Sequence, residues 1–246
     1  MFILLMLITA VPAYILGSLN GAIIASKTFF RKDIRDYGSG NPGLTNFYRT
    51  FGKVGVLLVI LIDVLKTVTP VLFGGWLFAE FADMYITEVW GIWPFNIFFN
   101  EAFFGQALAG FFVMMGHCFP LFYKFKGGKG VTAIGAIVIV IDWRLALISW
   151  GVFVLIVLLT RFVSLGAMLG SVAFPTSMLI MNLTGVEEFG LAELNIIIMC
   201  VLLVIVRHVP NILRLVKGEE SKFSFSRKKE RKHEEEHENE HVEEDG

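Results

Sequence analysis

Three segments of the chain combine glycines with hydroxyl, amide and basic side chains, and each lies beside an apolar run. Glycine lets the backbone approach an anion closely, and the free N–H groups at the start of a helix point towards such an anion. This composition favours chemistry on a phosphorylated substrate. The segments are residues 38–49, 116–132 and 207–214.

The second segment carries the clearest of these signals, Lys126-Gly127-Gly128-Lys129-Gly130. The apolar run that follows predicts a helix from about Gly130, so its positive end and Lys129 would face the same anion. A nucleotide P-loop is excluded because G-x-x-x-x-G-K-[ST] needs Gly at position 123, where Tyr stands, and Ser or Thr at position 130.

Each feature also has a simpler interpretation. Ser39 and Asn41 are common turn residues, and a glycine-rich basic loop beside a membrane is often only a turn. Arg207 and Arg214 would suit anionic lipid headgroups, and His117 would suit a packed core position. Three such segments on one face are harder to explain as separate turns, so the coincidence favours a site.

The composition places these segments on a membrane protein. Of the 246 residues, 55% are hydrophobic and 17% are charged, and the mean hydropathy is +0.68. These values exclude an ordinary cytosolic enzyme and a largely disordered chain. Cys118 and Cys200 both lie in apolar runs, so we expect neither a disulfide framework nor a zinc cluster, and no other metal site is predicted.

A bilayer core of about 30 Å needs about 20 apolar residues per helix. Residues 130–160 predict two shortened helices, because a single one would bury Asp142 and Arg144 at mid-bilayer. Asp63 and Lys66, three positions apart, predict a buried pair on one helix. The predicted spans are residues 1–26, 54–79, 102–123, the two helices within 130–160, 162–186 and 189–206. We therefore predict an all-α integral membrane protein with seven transmembrane helices.

The basic residues predict the orientation, since Lys and Arg are retained on the cytoplasmic side of short loops. With the amino terminus outside, the basic loops 27–53 and 124–129 and the carboxy terminus all lie in the cytoplasm. The acidic loop 80–101, which contains Trp90 and Trp93, then lies outside. Only Arg144 is on the opposite side from the other basic residues. Five spans with a re-entrant pair would fit this parity equally well.

Charge also divides the chain into two parts. Residues 1–220 are predicted to be the membrane-embedded domain, and residues 221–246 a solvated, disordered cytoplasmic tail. His233, His237 and His241 have a spacing that could bind a metal on a transient helix, but solvated low complexity is the simpler interpretation. Deletion of residues 223–246 is expected to leave the activity intact.

Together the three segments resemble the motifs of the bacterial acyl-phosphate:glycerol-3-phosphate acyltransferases, the PlsY family. The resemblance runs from about Tyr14 to Glu220, and all three motifs occur in order. The matching residues are Gly38-Ser39-Gly40-Asn41, Thr45-Asn46 and Arg49, then Gly116-His117, Phe119-Pro120 and 125–131, then Arg207-His208, Asn211-Ile212, Arg214-Leu215, Gly218 and Glu220.

The resemblance implies transfer of a fatty acyl group from acyl-phosphate to the 1-hydroxyl of sn-glycerol 3-phosphate. The products would be lysophosphatidic acid and phosphate, in phospholipid biosynthesis. It also implies a seven-helix enzyme of the bacterial inner membrane with its active face in the cytoplasm. No cofactor and no nucleic-acid partner are expected. Membrane lipid is an expected partner, and a contact with the enzyme that makes acyl-phosphate is left open.

Carried over position by position, the resemblance implies Ser39, His208 and Asn211 as catalytic residues. It implies a set that binds substrate or phosphate, and this set comprises Arg49, Lys129, Asn41, Asn46, Gly127, Gly128, Ser164, Arg207 and Arg214. Arg161 and Glu220 are left as residues that are structural or close the site. Either His208 or a substrate phosphate would accept the proton of the attacking hydroxyl. A serine triad with a covalent acyl-enzyme is disfavoured, because only Glu220 is placed to orient His208.

Two other classes of protein remain as alternatives. A transporter or channel for phosphorylated metabolites would also use helix ends around an anion and the intramembrane pair Asp63 and Lys66. It predicts internal repeats, and no convincing repeat is found. A lipid-binding scaffold without catalysis would tolerate the loss of Ser39 and His208.

Overall fold

The computed structural model describes residues 2–82, 100–187 and 189–223, which form helices joined by turns, without a β-strand. The helices are α1 Phe2–Gly17, α2 Gly21–Phe30, α3 Leu44–Phe51, α4 Val56–Phe81, α5 Glu101–Cys118, α6 Val131–Ile141, α7 Trp143–Thr160, α8 Val163–Thr184, α9 Leu191–Arg207 and α10 Val209–Lys217. Short 3₁₀ helices at Ile34–Asp36 and Leu121–Tyr123 lie in two of the connections. The predicted all-α class is confirmed.

Five parts of the described chain are long and apolar enough to cross a bilayer. They are Phe2–Phe30, Val56–Phe81, Glu101–Tyr123, Trp143–Thr160 and Val163–Thr184. α9 and α10 meet at a bend of 52° and make a sixth if the pair is one span. α6 has only 11 residues, too few to cross alone. The chain is therefore a multi-pass membrane protein, while the count of seven and the external amino terminus stay predictions.

The first predicted span, residues 1–26, corresponds to the candidate span Phe2–Phe30, and within it the helix is interrupted. α1 ends at Gly17, and α2 begins at Gly21 with Asn20 as its cap. The Asn20 Oδ1 accepts from Ile23 N at 2.9 Å, and its Nδ2 donates to Pro42 O at 3.1 Å. Asn20 thus starts a new helix because its side chain satisfies a free N–H of the first turn.

The break predicted at Asp142 and Arg144 is confirmed. α6 ends at Ile141, and the Asp142 side chain caps α7 by accepting from Arg144 N at 2.7 Å. The Arg144 guanidinium forms ion pairs with Asp142 at 2.5 Å and Glu187 at 2.6 Å. Arg144 is the basic residue that the predicted orientation places on the opposite side from the others. These two carboxylates compensate its positive charge.

The predicted acidic loop of residues 80–101 is described only at its two ends. Residues 80 and 81 are the end of α4, and Asn100 caps α5 by accepting from Phe103 N at 3.2 Å. The expected interfacial aromatics Trp90 and Trp93 lie outside the described residues.

Glycines allow the central helices to approach closely. A Cβ at Gly74 on α4 or at Gly105 on α5 would collide with the backbone of the other helix. A Cβ at Gly17 on α1 would lie 2.5 Å from Val113 O on α5. Small residues at helix contacts are characteristic of membrane proteins, where close backbone packing replaces the hydrophobic effect as the source of association. These contacts hold α1, α4 and α5 closely against one another.

Candidate active site

A cavity of about 690 Å³ lies where the three glycine-containing segments meet. The convergence predicted from the sequence is therefore observed. Basic side chains from all three connections face this space, with one carboxylate, Asp36, among the lining residues. The charged and polar lining comprises Arg35, Asp36, Ser39, Asn41, Lys124, Lys126, Lys129, Arg207, Asn211 and Arg214.

Asn46 organises the turn that presents Ser39. Its Oδ1 accepts from Ser39 N at 3.0 Å, and its Nδ2 donates to Tyr37 O at 3.0 Å. Gly38 has φ of +57°, and a Cβ there would collide with Asn46 Oδ1. Asn46 is buried and does not line the cavity, so its polar atoms serve the turn. The residue predicted to bind phosphate is thus placed behind Ser39.

The glycines of the second segment are required by packing against His117. Gly128 N donates to His117 O at 3.1 Å, so this N–H is not free for an anion. A Cβ at Gly127 would collide with His117 O, and one at Gly128 with the His117 ring. Gly127 lines the cavity whereas Gly128 does not. The Gly128 N–H is thus already paired, and the phosphate-binding role of Gly127 and Gly128 stays a prediction.

Arg207 binds the same loop from the end of α9. Its Nε donates to Gly128 O at 3.0 Å, and its Nη2 donates to Gly127 O at 2.8 Å. The guanidinium also lies over the Phe119 ring, 5.5 Å from the centroid. Arg207 therefore fixes the loop to α9, and its guanidinium borders the cavity from that position.

Lys129 and Asn211 join the second and third segments. Lys129 Nζ donates to Asn211 Oδ1 at 2.5 Å, across 82 positions of the sequence. The pKa of Lys129 is lowered from 10.5 to about 8, mainly by burial; Glu220 opposes the shift, whereas Arg214 and Arg207 contribute to it. The ammonium is thus poorly solvated and close to other cations, an environment that favours binding of an anion.

Glu220 ties Ser164, at the start of α8, to Asn211 and Arg214 on α10. Its Oε1 accepts from Ser164 Oγ at 2.6 Å and from Asn211 Nδ2 at 2.7 Å, and its Oε2 accepts from Arg214 Nε at 2.8 Å. Burial raises the pKa of Glu220, but these three hydrogen bonds outweigh it and leave the pKa below its ordinary value. Ser164, predicted to bind substrate, is not part of the cavity lining and instead holds this carboxylate.

Arg49 and His208 also lie outside the cavity lining. Arg49 donates to Ser221 Oγ at 2.8 Å. His208 is buried, and its Nδ1 lies 2.8 Å from Val204 O. A carbonyl oxygen only accepts, so Nδ1 carries the proton, and Nε2 is the nitrogen left to act as a base. The base role of His208 and the phosphate role of Arg49 stay predictions.

A buried network lies beneath the loop of Gly127 and Gly128. Lys66 Nζ lies 2.8 Å from Asp63 Oδ1 and 2.9 Å from His117 Nδ1, and it donates to Leu19 O at 2.5 Å. The Asp63 and Lys66 side chains are 2% and 1% exposed. The predicted buried pair is confirmed, and His117 is a packed core histidine, the simpler of its two interpretations.

Arg35 is a cavity residue that the sequence analysis did not single out. Its guanidinium donates to Asp33 Oδ2 at 2.8 Å and to Tyr123 O at 3.1 Å, which fixes it at the rim. The hydrogen bond from Arg35 is the main cause that holds the pKa of Asp33 at about 2. The feature of the sequence that could have indicated Arg35 is its position, three residues before the first glycine motif.

Known proteins resemble this chain over most of its length. Residues 7–218 match the family model described as glycerol-3-phosphate acyltransferase. The glycerol-3-phosphate acyltransferase of Staphylococcus carnosus (strain TM300) is 34% identical over 225 residues, covering 92% of this chain and all of that protein. The enzyme of the same name from Laribacter hongkongensis (strain HLHK9) is 38% identical over 219 residues, covering 89% and 96%.

Two solved structures share the fold. The glycerol 3-phosphate form of PlsY, an integral membrane glycerol 3-phosphate acyltransferase, is 31% identical with a TM-score of 0.69, over 89% of this chain and 96% of that one. Its lysophosphatidic acid form is 29% identical with a TM-score of 0.67, over 89% and 95%. The basic cavity, the three motifs and these likenesses lead to one conclusion: the chain belongs to the glycerol-3-phosphate acyltransferase family and is a membrane-embedded acyltransferase of the PlsY type.

Proposed function

We propose that the chain transfers a fatty acyl group from acyl-phosphate to the 1-hydroxyl of sn-glycerol 3-phosphate, forming lysophosphatidic acid and phosphate. The observation that carries the proposal is a basic cavity that adjoins an apolar groove. Both substrates bear phosphates that repel each other, and the cavity offers cations from three segments to offset that repulsion. The PlsY structures that this chain resembles are a glycerol 3-phosphate form and a lysophosphatidic acid form.

The groove would hold the alkyl chain of the donor. It has a volume of about 220 Å³ and runs between α6, α7 and α8. It is lined by Leu44, Val131, Thr132, Ile134, Gly135, Val138, Ser149, Trp150, Phe153, Ala167, Gly170, Ser171 and Phe174. Leu44 and Val131 each lie two positions from a cavity residue, Pro42 and Lys129. A chain lying in the groove would therefore place its carbonyl carbon beside Lys129.

The reaction requires placement more than a strongly activated nucleophile, because acyl-phosphate already carries a good leaving group. O1 of glycerol 3-phosphate forms a bond to the acyl carbon, and the bond from that carbon to the phosphate oxygen breaks. Holding the two substrates in the reactive geometry lowers the activation free energy by up to about 7–11 kcal/mol in ideal cases. Lys129, Arg207 and Arg214 hold the phosphates in this scheme.

The oxyanion that develops on the acyl carbonyl would be stabilised by Ser39 and Asn211, each worth roughly 3–4 kcal/mol in other acyl transfers. One N–H of the Asn211 amide is bound to Glu220, and the other remains to donate. The proton of the 1-hydroxyl passes either to His208 Nε2 or to a phosphate oxygen. Transfer is direct in this scheme, and an acyl-serine trapped with acyl-phosphate alone would contradict it.

The same proposal sets the enzyme in the bacterial inner membrane with seven spans and the amino terminus outside. The cavity then faces the cytoplasm, where both phosphorylated substrates are soluble or reach the inner leaflet. This orientation is supported by the basic residues in the connections that line the cavity and in the chain after α9. Residues 1–220 form the acyltransferase domain in this proposal, and residues 221–246 form a cytoplasmic tail.

The test is an assay of purified protein in detergent or lipid with palmitoyl-phosphate and glycerol 3-phosphate. Phosphate release and lysophosphatidic acid are followed, with palmitoyl-CoA as a parallel donor. Product from the acyl-phosphate alone is expected, and Lys129→Ala should lose most of it. Lys53→Ala is the control, because Lys53 is exposed on the basic connection of residues 27–53 and does not line the cavity. Product from palmitoyl-CoA instead, or from neither donor in a folded protein, would contradict the proposal.

A further inference from the structure

Trp150 and Gly135 form a close pair that crosses the apolar groove. The Trp150 indole Nε1 on α7 donates to Gly135 O on α6 at 3.2 Å. A Cβ placed on Gly135 would lie only 2.9 Å from Trp150 Cζ2. The edge of the indole therefore packs against α6 at a position where a Cβ would be too close, and its one polar atom donates to that helix.

The pair stands part of the way along the groove. Val131, Gly135 and Val138 line the groove from successive turns of α6, and Gly135 stands between the other two. Phe153 packs edge-on against Trp150, with ring centroids 6.0 Å apart. Of the Trp150 surface, 44% is exposed, so the ring forms a wall of the groove and is not a buried core residue.

We propose that Trp150, seated on Gly135, determines which acyl-chain lengths the enzyme accepts. This inference rests on the proposed function, because it takes the groove as the site of the donor's alkyl chain. An indole has few rotatable bonds, and its hydrogen bond to Gly135 fixes the ring in one orientation. A rigid wall at this depth allows a chain that ends beside it and disfavours one that must continue past it, because well-packed sites tolerate extra methylene groups poorly.

The pair provides two substitutions with opposite expected effects. Trp150→Ala removes the wall and should favour longer chains. Gly135→Ala adds a methyl group against the indole, so the ring must move away from α6 and narrow the groove. Gly151→Ala is the matched control, since it makes the same change beside Trp150 at a position where a Cβ meets nothing within 4 Å.

The measurement is kcat/KM for decanoyl-, palmitoyl- and stearoyl-phosphate, with glycerol 3-phosphate saturating. Differences of one methylene in an apolar pocket change kcat/KM by roughly tenfold or more. We expect Trp150→Ala to raise the stearoyl-to-decanoyl ratio by about tenfold, Gly135→Ala to lower it, and Gly151→Ala to leave it unchanged.

An unchanged ratio in Trp150→Ala, with palmitoyl-phosphate still used, would overturn the inference and leave the proposed function standing. Failure of the wild-type protein to use any acyl-phosphate would overturn the proposed function itself. If Trp150→Ala does not fold, Gly135→Ala decides the matter, and a wild-type ratio in that variant would contradict the inference.

Discussion

Arg49 on α3 donates a hydrogen bond to Ser221 Oγ at 2.8 Å, although 172 positions of the sequence separate the two residues. Ser221 is held in place by its neighbours, because Phe223 N donates to Arg161 O at 2.7 Å and Glu220 accepts three side-chain hydrogen bonds. The segment after α10 thus returns across the helix ends and connects α3 to the turn between α7 and α8. We call residues 219–223 the strap.

The strap predicts how far the chain can be shortened. Removal of residues 224–246 is expected to leave kcat/KM unchanged, because the strap contacts described above are kept. Removal of residues 219–246 takes away Glu220, and hydrogen bonds to a charged group contribute about 1.5–3 kcal/mol each, so kcat/KM should fall at least about tenfold. Both truncations are compared as purified, monodisperse proteins. Equal activity of the two would show that the strap has no part in the site.

Glu220→Ala should destabilise the fold as well as the site. It leaves the Ser164 hydroxyl and one Asn211 N–H without their acceptor, at a cost of about 1–3 kcal/mol for each buried group. Thermal unfolding in detergent should begin at a lower temperature, and the KM for glycerol 3-phosphate should rise. Glu219→Gln is the matched control, because the Glu219 side chain is exposed. A variant of Glu220 that melts like wild type would contradict the anchoring role.

The pH dependence of substrate capture should report Lys129. Its pKa is lowered to about 8, mainly by burial, so its positive charge is lost as the pH rises through 8. If this charge holds a phosphate, kcat/KM should fall between about pH 8 and pH 10, and it should hold steady below pH 8 as far as Lys129 is concerned. Lys129→Arg keeps the charge across this range and should remove the alkaline fall. Persistence of the same fall in Lys129→Arg would assign it to another group.

Substitutions of Asp63 and Lys66 are expected to have non-additive effects on stability. Lys66→Met leaves the Asp63 carboxylate buried without its cation, and breaking a buried pair in this way costs about 3–5 kcal/mol. Adding Asp63→Asn removes the stranded charge while it keeps an oxygen for Gly21 N, which donates to Asp63 Oδ1 at 3.2 Å. The double variant should therefore melt at a higher temperature than Lys66→Met alone. Additive losses would show that the two side chains do not depend on each other.

The features that could be predicted from the sequence are those that depend on the types of residue in one short segment. Asp142 and Arg144 marked the break between α6 and α7, and the basic segments converge on one cavity as expected. The role of Asn46 could not be predicted, because its bonds to Ser39 and Tyr37 depend on the exact fold of the turn. The role of Glu220 could not be predicted, because it includes a hydrogen bond from Ser164, which is 56 positions away. The bond from Lys129 to Asn211 also joins distant positions: each residue is conspicuous in the sequence, but only the folded chain brings the loop before α6 to α10 and makes them partners.

The position of both charges of the Asp63–Lys66 pair on α4 bears on how the protein is made. A lone charge at the centre of an inserting helix costs about 2.5–3.5 kcal/mol on insertion scales. Because Lys66 meets Asp63 one turn away on the same helix, α4 carries its own counter-ion into the bilayer. The segment can therefore insert as a neutral unit, and His117 and Thr132 complete the network later, when α5 and α6 assemble around it.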